Sequence, residues 1–539
     1  MRFIQSIITR RRRRGRRPLP RDILLCLLLA LLFGTAPAAK ATNVPSTMRV
    51  AMLVSENMEL YPLTLMDRDA LSILNLVYES VMILDDNRDP VPLLAESVDV
   101  VGGGTSYVFH LRDNVFFHDG TQLTAYDVYA TMNAIRDLAR NESLAPNEKG
   151  NYCTLIDYIS DWSVDDPLTL RVQARIPSYA ALYAMTFPVL QAQSLYLPNP
   201  PGTGPYRVDY YAQGQEMWLS GNEGWWKQPP HITEIIAVWF ENVEDALAAF
   251  EAERVDIVMT RQPSAARYRG TLSSRVNSYS YSTRNLETLF MMNAYNLADP
   301  EMRKAVAYGI NEERLMINVY QNVVSDTDTI QSRRSFLYSP PPQSQTYPYS
   351  PEKACEILDR LGWTEYNDKG YRIKRNAEGE TRELMFRLFY YDEAGNALRK
   401  DAANEIAVML RSIGIRIRIS ALSLADAQKN LNSRNFDLLL GSIFFDVAPN
   451  PEFLLIDRTK CNYVNYKSNE MTELCKLLNR AGGKEEFALL WAQIQDQFSV
   501  DLPFLPLYYR DGVVLTRYPY SNVRDIREFE LLRGIESYR

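Results

Sequence analysis

The sequence predicts an α/β fold divided among more than one domain, and three observations carry that expectation. Two stretches rich in strand-forming residues, ELMFRLFYY and IRIRIS, flank DAANEIAVMLRSIG, whose apolar spacing is helical. Strand, helix, strand in that order is a βαβ unit with its two strands parallel. Helix starts carry their own punctuation: Asp299 with Pro300 opens one and Ser350 with Pro351 another, a side-chain cap followed by proline at the first helical position. Finally, 539 residues exceed what one hydrophobic core serves, so two or three domains are expected.

In chain order, the first segment stands apart. Nine arginines in the first 21 residues precede the apolar run ILLCLLLALLF and the small-residue stretch GTAPAAKAT. That order predicts a secretory signal peptide over residues 1–41, cut after Ala41, with Ala38 as the second choice. Eleven apolar residues are too few to span a bilayer, which takes about 20. Cys26 lies inside the apolar run with no small residues before it, so no lipid-modified cysteine is expected.

MRVAMLV, residues 48–54, reads as a first strand and DALSILNLVYESVM as a helix. In YVFHLRDNVFFHDGTQLTAYDV, residues 107–128, an alternating strand (Tyr107, Phe109, Leu111) runs to a turn at Asp119-Gly120. Thr124 and Asp127 then form a capping-box signature. The helix after it has its stripe at Val128, Met132, Ile135 and Leu138. PNPPGTGPYRV breaks the pattern as a loop or chain crossing, and VEDALAAFEAERVDIVM reads as a helix feeding a short strand. In the second half Ala354, Ile357, Leu358 and Leu361 share a helix face that Gly362 ends, Gly414 ends another helix, and Ile415, Ile417 and Ile419 share one side of a strand.

Charge and chemistry narrow the function. Residues 1–41 hold ten Lys/Arg and one Asp, so their removal takes the net charge from -7 to -16 and disfavours nucleic acid and anionic membrane as partners. The three histidines, His110, His118 and His231, lack zinc spacing, and no HExxH, P-loop or G-x-S-x-G occurs, so neither a metal nor a cofactor is predicted. Gly102 to Gly104 lead into a strand and form a turn, not a phosphate cradle. Among 66 acidic residues nothing singles out a hydrolytic pair. Thirty-three tyrosines suit a cleft that needs apolar contact and hydrogen bonding together, although most belong to ordinary packing. Of the cysteines after the leader, Cys461 and Cys475 close a short loop that a disulfide could span, and Cys355 sits on a predicted helix as a candidate buried thiol. Composition by itself stops at an exported α/β protein, a binder.

A set of motifs in fixed order goes further. Tyr78-Glu79, Pro92, Leu94 to Ser97, Phe109 with Leu111-Arg112, Phe117 to Gly120, Thr124-Ala125 and Asp127-Val128 are followed by GTGPYRV, AAFEAERVDIV, MNAYNLADPEMRKAVAYGINEERLM, YSPEKACEILDRLGW, LRSIGIRIRI, NFDLLLGSI and LPFLPLYY. Over residues 48 to 515 the chain resembles the extracellular solute-binding proteins of family 5, the peptide-binding components of ABC importers. The resemblance implies a two-lobed periplasmic-binding-protein-like fold of type II with an additional domain inserted in the first lobe. Residues 42–85, 196–285 and 512–539 would form lobe I, 86–195 the additional domain and 286–511 lobe II, with a hinge near 284–290 and 506–512. It implies a non-enzymatic, monomeric chain, in the periplasm or at the outer face of the cytoplasmic membrane, that delivers peptides to a permease whose ATPase is a separate chain. Other ligands on the same fold (oligosaccharide, nickel chelate, opine, haem) and a secreted hydrolase are the alternatives; an intracellular regulator would need a helix-turn-helix where this chain has a leader.

Site residues follow from the same resemblance. His118 and Asp119 belong to a structural turn. An Asp after the "FD...GW" strand holds the ligand's free ammonium, and in FDLLLGSIFFDVAPNPEFLL that Asp is Asp446. Here Ser442 replaces the usual Trp, Asn450-Pro451 replaces Asp-Pro, and the spacing from Gly441 is one residue longer, which leaves Asp446 two roles, ligand anchor or cap of its own loop. Phe444 and Phe445 are ligand contacts or core residues, one of them pointing inward. Tyr281 and Arg284 before the first crossing, and Tyr508, Tyr509 and Arg510 at the last, would line the cleft by position.

Overall fold

Two long strands, Asn277–Met291 and Phe504–Thr516, run antiparallel through the centre of the sheet, and the rest of the chain is arranged about them. The computed structural model describes residues 44–54, 60–145, 148–262, 265, 268, 276–376, 378–392, 397–459, 461–519 and 526–538; the expected leader lies outside them. Among these residues the main sheet has eleven strands. On one side of the central pair, Phe504–Thr516 is followed by Ile257–Thr260, Thr47–Leu53, Glu234–Phe240, Glu216–Gly221 and Tyr206–Ala212. On the other, Asn277–Met291 is followed by Leu438–Phe444, Met385–Tyr391 and Arg416–Leu422. The short strand Val324–Asp326 pairs with Phe504–Thr516 off this path. The sheet is mixed, with parallel and antiparallel pairs.

The predicted βαβ unit is present: Met385 pairs with Arg416 in a parallel ladder, joined by the helix Leu398–Ser412, and Gly414 adopts the left-handed φ of 87° that ends the helix cheaply. Pro300–Tyr308 and Pro351–Arg360 begin at the expected residues, with Asp299 and Ser350 accepting hydrogen bonds from first-turn amides. The helix Ala125–Arg140 carries the Thr124/Asp127 capping box and buries Val128, Met132 and Ile135. It packs on a separate four-stranded antiparallel sheet between residues 86 and 195, in the order Ala95–Val101, Ser106–Leu111, Thr169–Ala174, Ile159–Asp166.

Two large cores result. One joins Val50, Phe109, Tyr179 and Trp491, and the other joins Leu289, Leu388, Leu410 and Tyr508. The loop-closing pair Cys461 and Cys475 does not form a disulfide: both are free thiols, Cys475 buried in the first core on the helix Asn469–Leu478 while the Cys461 sulfur accepts the Tyr463 hydroxyl at 3.6 Å.

A buried carboxylate ties the central pair together. Glu287 on the first crossing strand takes two hydrogen bonds from Arg399 (2.7 and 3.2 Å) on the helix Leu398–Ser412 and an ion pair at 2.7 Å from Arg510 on the second crossing strand. Desolvation of such a charge is tolerated only while its partners remain. We expect Glu287→Gln to lower the unfolding free energy in urea by about 3–5 kcal/mol, since two buried guanidiniums then face a neutral amide. A loss below about 1 kcal/mol would mean that Arg399 and Arg510 find other acceptors.

Candidate functional site

The central ladder is interrupted where the chain changes neighbours. Tyr281 and Ser282 pair with Gly512 and Asp511, but the next paired residue is Leu286, opposite Tyr509. The residues left out of register, Thr283 to Asn285, bulge from the strand, and bulges re-aim side chains. Several of their polar groups are satisfied locally: the Arg284 amide donates to Glu528 Oε2 at 3.2 Å, its carbonyl accepts from the Phe445 amide at 3.1 Å, and the Thr283 hydroxyl donates to the Arg510 carbonyl.

Beside this bulge lies a cavity of about 650 Å³, within the roughly 300–1,000 Å³ range of ligand sites. Four of the residues singled out by sequence line it: Arg284, Phe445, Asp446 and Tyr509. Phe445 lies just past the strand end at Phe444 and packs edge-on to Phe453 with ring centroids 6.0 Å apart. Tyr509 is nearly fully buried and donates its hydroxyl to the Ile330 carbonyl at 2.7 Å. Asp446 Oδ1 accepts from the Val447 amide at 2.6 Å and stands 3.9 Å from Arg284 Nη1. Phe444 does not line the cavity but covers Arg284 at its rim, its ring centroid 4.9 Å from the guanidinium.

The other three go elsewhere. Tyr281 is fully buried and accepts from Arg68 Nη1 at 2.9 Å. Tyr508 packs against Tyr320 with tilted rings, centroids 4.3 Å apart, in the second core. Arg510 pairs with Glu287 and borders a different cavity of about 430 Å³. The reason is parity: Tyr508 and Arg510 alternate with Tyr509 across one strand, so only the middle residue faces the large cavity. Among the described residues no group of three His, Cys, Asp or Glu could hold a metal ion, and no helix is long and apolar enough to cross a membrane.

Position alone did not identify the rest of the lining. Glu79, Tyr152, Trp225 and Lys227 belong to it, as do Arg527 to Glu530 and Arg533 near the C-terminus. Glu79 belongs to the ordered motif set, whereas Tyr152, the Trp225-Trp226-Lys227 run and the C-terminal segment carry no such signal. The Glu79 carboxylate accepts from Trp226 Nε1 (2.8 Å), Thr203 Oγ1 (3.1 Å) and Trp225 Nε1 (3.3 Å), with Lys227 Nζ at 3.8 Å. Burial pushes its pKa up, and Lys227 and these donors pull it back down. Lys227 also lies over both indoles, 4.9 and 4.6 Å from the ring centroids.

His118, the residue most suggestive of catalysis, is a structural staple. Its Nδ1 accepts from the Gly202 amide at 3.2 Å and its Nε2 donates to the Gly204 carbonyl at 3.0 Å, which requires the neutral ring. Burial is the main force lowering its pKa. Asp119 accepts from the Thr121 amide at 2.9 Å and from Gln191 at 2.8 Å.

Two outcomes follow. Glu79→Ala strands two indole donors and should cost about 2–4 kcal/mol in urea unfolding, while Glu79→Gln keeps an acceptor and should cost less than half of that. Because folding depresses the His118 pKa, its contribution is present above the ordinary value of about 6.5 and is lost as pH falls below it. The stability gap between the parent chain and His118→Asn should therefore narrow between about pH 7.5 and pH 5, and a pH-independent gap would contradict a neutral ring.

Comparison with known proteins follows this geometry. The family profile described as bacterial extracellular solute-binding proteins, family 5 Middle, matches residues 89–464. The oligopeptide-binding protein AppA of Bacillus subtilis is 22% identical over 487 residues, 86% of this chain and 87% of that one. Its structure in complex with a nonapeptide aligns with a TM-score of 0.64 at 19% identity, covering 91% of this chain and 98% of that one. NikA from Brucella suis in complex with Fe(III)-EDTA aligns with a TM-score of 0.75 at 17% identity, covering 92% of this chain and all (100%) of that one. At these identities the structural likeness is one of fold.

Proposed function

Because the chain belongs to the bacterial extracellular solute-binding proteins of family 5, we propose that it is a non-enzymatic, extracytoplasmic binder that encloses a peptide and hands it to the membrane permease of an ABC importer. The observation that carries this reading is the position of the 650 Å³ cavity against the bulged crossing strand, where closure of two lobes would bury a solute. In this reading lobe I comprises residues 42–85, 196–285 and 512–539, residues 86–195 are an added domain, and residues 286–511 form lobe II. The hinge is the register break beside Arg284 together with the facing stretch near Tyr509. Arg284, Phe445, Asp446 and Tyr509 contact the solute, and Phe444 shields Arg284. The leader, residues 1–41, exports the chain and is removed, and the mature monomer works with a permease whose ATPase is a separate polypeptide.

Peptide capture suits a cavity of this kind. An extended peptide presents main-chain donors and acceptors that polar walls can pair, while its side chains rest against aromatic rings and water. Ion pairs at the cavity, such as Lys227 with Glu79 and Arg527 with Glu530, supply such polar walls.

Mass spectrometry of what the purified protein releases on denaturation tests the reading. A heterogeneous set of short peptides is expected, and the stripped, refolded protein should be thermally stabilised when they are added back. A single sugar or metal chelate would replace the peptide while keeping the binder. Cleavage of added peptides by the stripped protein would overturn the non-enzymatic assignment.

A further inference from the structure

We propose that Arg284 receives an anionic group of the solute, so that the cavity takes a carboxylate-bearing ligand oriented with that carboxylate against the first crossing strand. The proposal rests on the cavity being the solute site, and it deepens that reading by naming the chemistry the ligand must carry.

The first observation is how the side chain is held. The Arg284 guanidinium lies 4.9 Å from the ring centroids of both Phe444 and Phe529, whose planes are nearly perpendicular at 85°. Rings over the guanidinium leave its N–H edge as the part free to bond, and that edge is the fork that matches a carboxylate. The side chain borders the cavity and is about a fifth exposed there, at 21%.

The second is that its hydrogen bonding is incomplete. Arg284 Nη1 is buried and has no hydrogen-bond partner. Its nearest carboxylate oxygen, Asp446 Oδ1, is 3.9 Å away, beyond hydrogen-bond reach, and already accepts from the Val447 amide. Glu528 is also engaged, with Oε2 on the Arg284 backbone amide and Oε1 3.3 Å from Arg261. Arg527, at the same cavity, leaves its Nε unpartnered but commits both terminal nitrogens, donating to the carbonyls of Leu84 (2.5 Å) and Asp85 (2.8 Å) and to Glu530 (3.0 Å). Arg527 is part of the wall, whereas Arg284 is a cation held in place with donor capacity left over. A buried donor in that condition is costly until an acceptor arrives.

A ligand carboxylate supplies that acceptor without expelling Asp446, because a guanidinium has five N–H donors and can serve two carboxylates. Asp446 is 40% exposed and can turn towards water as the ligand enters.

The test compares the full chain with Arg284→Met, which removes the charge, and Arg284→Lys, which keeps it but lacks the planar fork. Each is purified in the same way, checked by thermal unfolding, denatured, and its released solutes identified by mass spectrometry. Each is then titrated with Ala-Ala-Ala as the free acid and as the C-terminal amide. The parent chain should release acids and be stabilised more by the free acid than by the amide. Arg284→Met should retain at least about tenfold less solute and lose the acid preference, with Arg284→Lys between the two. A folded Arg284→Met that retains the same peptides undiminished would overturn the role of Arg284 and leave peptide capture standing. Release of a non-peptide acid that Arg284→Met loses would do the reverse. A neutral solute, or equal stabilisation by acid and amide in the parent chain, would overturn the proposal.

Discussion

The structure depends on the buried carboxylate of Glu287. The sheet is continuous only through the ladder between Asn277–Met291 and Phe504–Thr516, and Glu287 fastens that ladder to itself through Arg510 and to the flanking helix through Arg399. A charge taken out of water strongly favours the one arrangement that returns its hydrogen bonds, and that requirement is directional in a way that apolar packing is not. Hydrophobic burial would hold the two strands near each other in several registers. The Glu287 cluster selects one.

Fixing the register immediately beside the bulge has a consequence for the cavity. Thr283 to Asn285 are displaced from the ladder two to four residues before Glu287, whose ion pairs anchor the strand although the register shifts again after it. The bulge therefore presents Arg284 to the cavity while Glu287, on the same strand, serves the interior behind it. Two charged residues three positions apart thus have separate tasks, one maintaining the joint and the other facing the cavity beside it.

Polar residues around the cavity divide in the same manner. Glu79, held by two indoles, a hydroxyl and Lys227, and Arg527, whose terminal nitrogens are held by two carbonyls and Glu530, build the wall. His118 is saturated, which is why an isolated histidine in a conspicuous motif turns out to staple the Gly202 to Gly204 loop. Saturation of hydrogen bonds, which only coordinates can reveal, separates scaffold from recognition more clearly than residue type does.

Local signals in the chain determined the elements. The capping box at Thr124 and Asp127, the Asp299-Pro300 and Ser350-Pro351 helix starts, and the parallel pair around the helix Leu398–Ser412 were all legible, because caps, prolines and periodicity act over a few residues. Motif order carried the family and hence the fold. The cavity wall was legible only in part: Arg284, Phe445, Asp446 and Tyr509 reach it, whereas Tyr281, Tyr508 and Arg510 turn away. Which side of a strand a residue faces depends on a bulge and on pairing between positions more than 200 apart, as in Leu286 opposite Tyr509. Tyr152 and the segment from Arg527 to Arg533 meet the crossing strand solely through that long-range assembly. The sequence by itself determined the elements and their class; tertiary pairing decided which side chains share the cavity, because proximity there comes from register and not from neighbours in the chain.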